Sequence, residues 1–366
     1  MRVVHIISSY SPGGAETLAR DLCIEMKKNG LEIELWALAT GKDDAFERKF
    51  IKLLNENKVG TYCFLKRPNK DRVRTYLKIR QKIDSFKPDI IHVHGEELAF
   101  HVCLATLFRN NIIIQTIHNN RIQYPIIQTL FLKYKLDHFI AISKSVYKIL
   151  NFRLKIPEKK ISLIYNGVPI SGNRLIDKNA RDKKIYIINI GRLSEQKDQA
   201  KLIKSIYILK ERFYGRKEFP FEVHIYGVGE LKNHLIEKIK EYELEKYIFL
   251  KGVDYDVSEK LKKYDLFILS SKWEGFPLSI LEAMAKKVVV ISTNVGSVSE
   301  IIDDQINGIL IKNNSAEEIA EKVHFLSNKL FLLNKLAENG YQKVKSKYDI
   351  RRCASEHIKL YTKLIK

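Results

Sequence analysis

Residues 266–286 read LFILSSKWEGFPLSILEAMAK, and the order of chemistry in that stretch sets the fold. Residues 266–270 form a short apolar run of strand length. Gly275 and Pro277 force a loop, and residues 279–286 then carry apolar side chains at helical spacing. A second β-branched run follows at 288–292. Strand, loop, helix and strand in that order make a β-α-β unit, whose two strands lie parallel in one sheet.

The same alternation extends in both directions. Upstream, strand patterns at 185–190, 222–226 and 248–251 alternate with helical periodicity at 198–213, 231–242 and 257–264. Downstream, 316–325 and 330–347 read as helices. A Pro-, Gly- and Asn-rich stretch at 166–181 interrupts the pattern and reads as a linker. Before it, strands at 3–8, 32–37, 61–65, 89–93, 112–116 and 138–142 alternate with helices at 16–29, 72–86, 98–108 and 126–135. The prediction is α/β, with two doubly wound Rossmann-like domains at 1–172 and 182–348. Ligands of such sheets bind at the carboxyl ends of the strands, so the default site is a deep interdomain cleft.

At 366 residues the chain is too long for one ordinary core and suits two. Four cysteines stand far apart with no C-x-x-C pair, which favours a reducing cytoplasm over a disulfide framework. The amino terminus reads as a first strand entering a glycine turn, not as a signal peptide, and no run reaches the ~18 apolar residues of a membrane span. The formal charge of +21 is concentrated in two places. Residues 58–87 hold ten Lys or Arg against two Asp, and residues 121–160 hold nine against Asp137 and Glu158. Aromatic residues interleave the second stretch, as on a surface that docks anionic lipid headgroups. Peripheral attachment to the inner face of the cell membrane is therefore expected. No nucleic-acid recognition motif appears, and charge runs also decorate ordinary solvated helices.

The loop at 274–279 carries the sharpest chemistry. Glu274 lies at the end of the strand and Glu282 about one turn into the helix. The loop and helix entry run Gly275, Phe276, Pro277, Leu278 and Ser279, and the free amides there, which Pro277 lacks, favour an anion. Carboxylates bind vicinal diols well and phosphates badly, so two of them beside an anion site suit a ligand hydroxylated at both ends and phosphorylated between. A nucleotide sugar has that form. Departure of its nucleoside diphosphate develops negative charge that a metal or fixed cations must neutralise. Arg192 closes a strand and Lys197 opens the next helix, which places both at the carboxyl edge with Gly191 between strand and loop.

Together these residues resemble the retaining GT-B glycosyltransferases of glycosyltransferase family 4, also called group 1. Glu274 to Glu282 matches that family's E-x7-E element, and Gly191-Arg192-Leu193 with Lys197 its G-R-L…K element. Asn166-Gly167-Val168, Gly13-Gly14-Ala15-Glu16 and Gly296…Glu300 match further elements, the last with Glu300 one position late. The resemblance implies a hexosyltransferase that moves a hexose or N-acetylhexosamine from a UDP-sugar, or a GDP-sugar, with retention and without a metal cofactor. The acceptor is a saccharide or polyprenol-linked saccharide, in cell-surface polysaccharide assembly. Arg192, Lys197, Glu274 and His118 are implied as catalytic. Gly13, Gly14, Gly191, Gly227, Val253, Gly275, Phe276, Pro277, Leu278, Ser279 and Glu282 are implied on the donor side, and His94 and Asn119 on the acceptor side. The resemblance also implies that residues 350–366 pack back on the first domain.

Other readings compete. Asp254-Tyr255-Asp256 matches a metal-binding D-x-D, but Asp256 before Val257-Ser258-Glu259 reads as a helix N-cap. His92 and His94 share a strand face as metal ligands do, with no third ligand nearby in the sequence. At the level of the whole chain, the alternatives are a GT-B nucleotide-sugar epimerase and a non-catalytic basic lipid- or nucleic-acid-binding protein.

Overall fold

The computed structural model describes residues 1–41, 43–66, 71–120, 122–170 and 184–366. Most of the predicted linker, the boundary positions 172 and 182, and Arg67, Lys70 and Arg121 of the basic stretches lie outside the described residues. The chain divides into two compact units: Met1–Val168 with Asp349–Lys366, and Pro169–Tyr348.

The first unit holds seven parallel strands: β1 (Arg2–Ser9), β2 (Glu32–Ala39), β3 (Gly60–Cys63), β4 (Ile90–His94), β5 (Ile112–Ile117), β6 (His138–Ala141) and β7 (Ile161–Leu163). Their order across the sheet is β3-β2-β1-β4-β5-β6-β7. The second holds β8 (Ile185–Ile190), β9 (Phe221–Tyr226), β10 (Ile248–Gly252), β11 (Leu266–Leu269), β12 (Val289–Thr293) and β13 (Ile309–Ile311), ordered β10-β9-β8-β11-β12-β13. Both sheets therefore share the order 3-2-1-4-5-6 in local numbering, the dinucleotide-fold order, with β7 added beside β6 in the first and a topological switch beside β1 and β4 in one and β8 and β11 in the other. The strands are buried on both faces, as the near-continuous Val/Ile/Leu runs require: Val3, Val4, Ile6 and Ile91 in the first unit, Ile187, Ile188, Phe267 and Ile268 in the second.

Several predicted elements change. Residues 44–56 form a helix (Asp44–Glu56) not expected from the sequence pattern; its charges hide the stripe of Phe46, Phe50 and Leu54, and the Asp43 carboxylate caps it by accepting from the Ala45 and Phe46 amides. The helix predicted at 126–135 is broken by a π turn at Gln128–Leu132. There Gln128 is buried and its side-chain amide donates to Gln115 Oε1 (2.8 Å). Residues 257–264 make one α turn, Val257–Lys260, then a 3-10 turn, Leu261–Lys263. β7 and β13, three residues each, were too short to read.

The helix Ile350–Ile365 belongs to the first unit. Asp349 caps it by accepting from the Arg351 amide, and the Ile350 amide donates to Val168 O (3.0 Å). A side chain at Gly167 would stand 2.8 Å from Ile350 Cα, so glycine is what lets the chain pass the start of this helix.

Candidate active site

At the switch point of the second sheet, the loops after β8 and β11 are tied to each other. Gln196 Nε2 donates to Trp273 O (3.1 Å), the Lys272 amide to Gln196 O (2.8 Å) and Ser270 Oγ to Lys197 O (3.0 Å). The tie brings Lys197 Nζ within 2.6 Å of Glu274 Oε1. Their side chains are 17% and 5% exposed, so the pair is shielded from bulk water and its geometry is held. Ser271 Oγ donates to the same carboxylate oxygen (2.6 Å), and Ser297 Oγ donates to Gly275 O. Neither serine was singled out from the sequence; each follows a strand end, which is the one signal available. Phe276 is buried against Tyr348, with ring centroids 5.6 Å apart, and this packing sets the path of the Gly275-Phe276-Pro277 loop.

The helix that follows runs Leu278–Ala285, with Pro277 at its N-cap. Pro277 and Leu278 are buried, whereas Ser279 and Glu282 are half-buried. Arg192 is exposed just beyond β8, and its carbonyl accepts from Gln199 Nε2 (2.9 Å). Among the described residues Arg192 forms no ion pair, in contrast to Lys197.

Glycines hold this edge together. Gly227 follows β9 at φ +138°, and a Cβ there would lie 2.0 Å from Gly191 O. A Cβ on Gly229 would lie 2.2 Å from Leu193 O. The Gly191 amide donates to Tyr226 O (3.0 Å) and the Gly227 amide to Gly252 O (2.7 Å), so Gly191, Gly227 and the Gly252-Val253 turn form one backbone-on-backbone ledge. A ledge of bare backbone lets a phosphate or ribose approach closely.

Asp254 and Asp256 correct the capping reading in part. Asp256 occupies the N-cap position of Val257–Lys260, yet its side chain makes no capping bond. Asp254 instead accepts from the Asp256 amide (2.9 Å) and pairs with Lys260, while Glu259 pairs with Lys286 (2.8 Å). Four residues of helix offer too little to cap, and the nearby lysines compete better for the carboxylates.

In the first unit, Gly13 is the N-cap of the helix Gly14–Lys28 with extended backbone, φ −172° and ψ 151°, so no left-handed turn explains it. A Cβ at Gly13 would meet Glu16 Oε2 at 2.1 Å. Glu16 also accepts from Ser8 Oγ (2.8 Å). A carboxylate beside this loop suits hydroxyls and opposes phosphate.

His118 is half-buried after β5, Asn119 beside it is exposed, and Asn120 Oδ1 accepts from Ser145 Oγ (3.3 Å). His118 Nε2 lies 3.0 Å from His94 Nδ1, and His94 Nε2 lies 2.9 Å from His5 Nδ1. His5, at the β1 position paired with His92, overturns the expectation that no third ligand stands near His92 and His94. Ligand nitrogens of the three lie within 4.8 Å of one another. The sequence gap of nearly ninety residues hid this neighbour, which the β1–β4 pairing brings in. Burial pushes His118 down to about 4 and His5 to about 3, with the charge of His357 adding to both, so the rings are neutral at physiological pH.

Comparison with known proteins agrees with this architecture. The family model described as Glycosyl transferases group 1 matches residues 173–343, and that of Glycosyltransferase Family 4 matches residues 12–171. The chain belongs to this family of glycosyltransferases, with the GT-B architecture of two parallel-sheet Rossmann-like units. An uncharacterized glycosyltransferase of Methanocaldococcus jannaschii is 32% identical over 251 residues, 62% of this chain and 60% of that protein's own length. The UDP-Gal:alpha-D-GlcNAc-diphosphoundecaprenol alpha-1,3-galactosyltransferase of Escherichia coli is 25% identical over 315 residues, 80% of each chain. The crystal structure of Anabaena HepE in complex with UDP-glucose superposes with a TM-score of 0.83 at 17% identity, covering 99% of this chain and 100% of that one, which is a likeness of fold.

Proposed function

We propose that the protein transfers a hexose or N-acetylhexosamine from a UDP-sugar to a saccharide or polyprenol-linked acceptor, with retention, in cell-surface polysaccharide assembly. The observation that carries this reading is the shielded Lys197–Glu274 pair at the switch point of the second sheet, beside the Gly191–Gly227 ledge. Relatives support the donor and acceptor class: the E. coli protein is named for a UDP-galactose donor and a diphosphoundecaprenol acceptor.

In this reading Lys197 and Arg192 neutralise the departing diphosphate, with no divalent metal. Glu274 holds Lys197 in place and faces sugar hydroxyls, and Glu282 binds the ribose diol. The C1–O bond to phosphate breaks as the acceptor oxygen bonds to C1 on the same face, and the acceptor's proton passes to the leaving phosphate oxygen. His118, neutral, hydrogen-bonds the transferred sugar. His94 and Asn119 belong to the acceptor side. Calorimetry with UDP-, GDP- and ADP-sugars, with and without EDTA, tests the donor. UDP-sugar binding that is tightest and unchanged by EDTA supports the reading; binding only with added metal contradicts it.

The first unit also supports attachment to an anionic membrane. Ile126, Leu130 and Tyr134 recur every four residues along a helical run and are 71%, 73% and 72% exposed, with Lys133 and Lys135 beside them. Among the described residues no helix is long and apolar enough to cross a membrane. A three-residue apolar stripe with lysines is what an interfacial helix presents to headgroups.

A further inference from the structure

Beyond His118 and His94, the polar interior of the first unit continues without a break. His5 Nε2 lies 3.2 Å from Tyr361 Oη, Tyr361 Oη 2.6 Å from His92 Nδ1, and His92 Nε2 2.6 Å from Thr116 Oγ1. Tyr361 sits on the helix Ile350–Ile365 and is fully buried. We propose that Tyr361 is a positioning residue for His118: it links the hydrogen-bonded chain His118–His94–His5–Tyr361–His92–Thr116, which couples the tautomer of His118 to the direction of every other bond in the chain.

A neutral imidazole has one donor and one acceptor nitrogen, and a phenol here donates once and accepts once. The direction of any one bond therefore dictates all the others, and the chain has two states. In one, Thr116 Oγ1 donates to His92 Nε2, His92 Nδ1–H to Tyr361 Oη, and Tyr361 O–H to His5 Nε2. His5 Nδ1–H then donates to His94 Nε2 and His94 Nδ1–H to His118 Nε2, so His118 carries its proton on Nδ1. In the other, every bond is reversed, His118 carries its proton on Nε2, and Nδ1 is an acceptor. No partner for His118 Nδ1 is present among the described residues, so it is the nitrogen left for a ligand, as a donor in the first state and an acceptor in the second. Buried rings that stay neutral keep the chain intact, and burial holds His92 and His94 well below the ordinary histidine value.

The same geometry weighs against a metal at His5, His92 and His94. Both nitrogens of each ring are already committed to the chain, and a cation would have to break it.

The inference rests on the reading of His118 as a sugar contact, and the test separates the two. Tyr361→Phe keeps the ring and removes the oxygen, leaving His118–His94–His5 cut off from His92–Thr116. In ¹⁵N-histidine NMR of the full chain, wild type is expected to show His118, His94, His5 and His92 in tautomers that all match one direction of the chain. Tyr361→Phe is expected to uncouple His92 from the other three rings and to move the His118 ¹⁵N shifts, with kcat lowered on the order of 10-fold and donor KM unchanged. Unchanged His118 ¹⁵N shifts in Tyr361→Phe overturn the proposal whatever its stability, as does one equivalent of tightly bound zinc in the purified protein. Wild-type kcat in His118→Ala, with the NMR result as expected, instead overturns the sugar-contact reading and leaves the chain standing.

Discussion

Lys197 and Glu274 illustrate what a single residue does here. A buried ion pair gains little over an apolar pair but costs about 3–5 kcal/mol when one partner is removed, because the other charge is left uncompensated. Lys197→Ala should therefore lower the melting temperature of the second unit as well as turnover. The pair is also the reason a lone basic residue in a chain of net charge +21 can be singled out, since sequence composition alone makes any lysine unremarkable. Its partner is invisible in the sequence, where Lys197 and Glu274 are separated by the whole of β9, β10 and β11. The E-x7-E spacing and the G-R-L…K element named both residues; only the tie between their loops shows that they meet.

At the level of the element, glycine placement gives a sharp expectation. Gly227→Ala puts a Cβ against Gly191 O at a left-handed φ, a conflict between two backbones that no side chain can relieve. A loss on the order of 3 kcal/mol and weakened UDP binding are expected, measured by denaturant unfolding and calorimetry. The strands were legible because both faces of a parallel sheet are apolar, giving continuous runs. The helix Asp44–Glu56 was not, because six acidic and basic residues mask a narrow apolar stripe. The π turn at Gln128–Leu132 was not either, since the buried bond that accompanies it, from Gln128 to Gln115 of β5, is a tertiary contact. On the surface of that same run, replacing Ile126, Leu130 and Tyr134 together by Ser should abolish co-sedimentation with vesicles containing anionic lipid while leaving turnover on a soluble acceptor intact.

For the molecule as a whole, the histidines of the first unit set a pH limit. His5, His92, His94, His118 and His357 are all held below the ordinary value of 6.5, chiefly by burial, with His357 and His118 at about 4. Their folded values are depressed while the unfolded chain titrates near 6.5, so the unfolded state binds more protons below that pH. Stability is therefore complete above pH 6.5 and falls as pH drops toward 4, by about 1.4 kcal/mol per pH unit for each proton taken up. The shift of His357 alone corresponds to about 3 kcal/mol. Trp36 is buried in the first unit and Trp273 lies in the second, so a Trp273→Phe variant leaves a reporter of the first unit alone. Its melting temperature should fall steeply between pH 6.5 and 4; a flat profile would contradict the neutral histidine interior.

In the proposed reaction fixed cations, not a bound ion, take up the charge of the leaving nucleotide. The direct measurement is steady-state sugar transfer by wild type and Lys197→Ala, each with and without EDTA. Wild-type turnover should be indifferent to EDTA, and Lys197→Ala should lose roughly 10²-fold or more in kcat with the chain still folded. Turnover near wild type in Lys197→Ala, or its abolition by EDTA and restoration by a divalent metal, would contradict it.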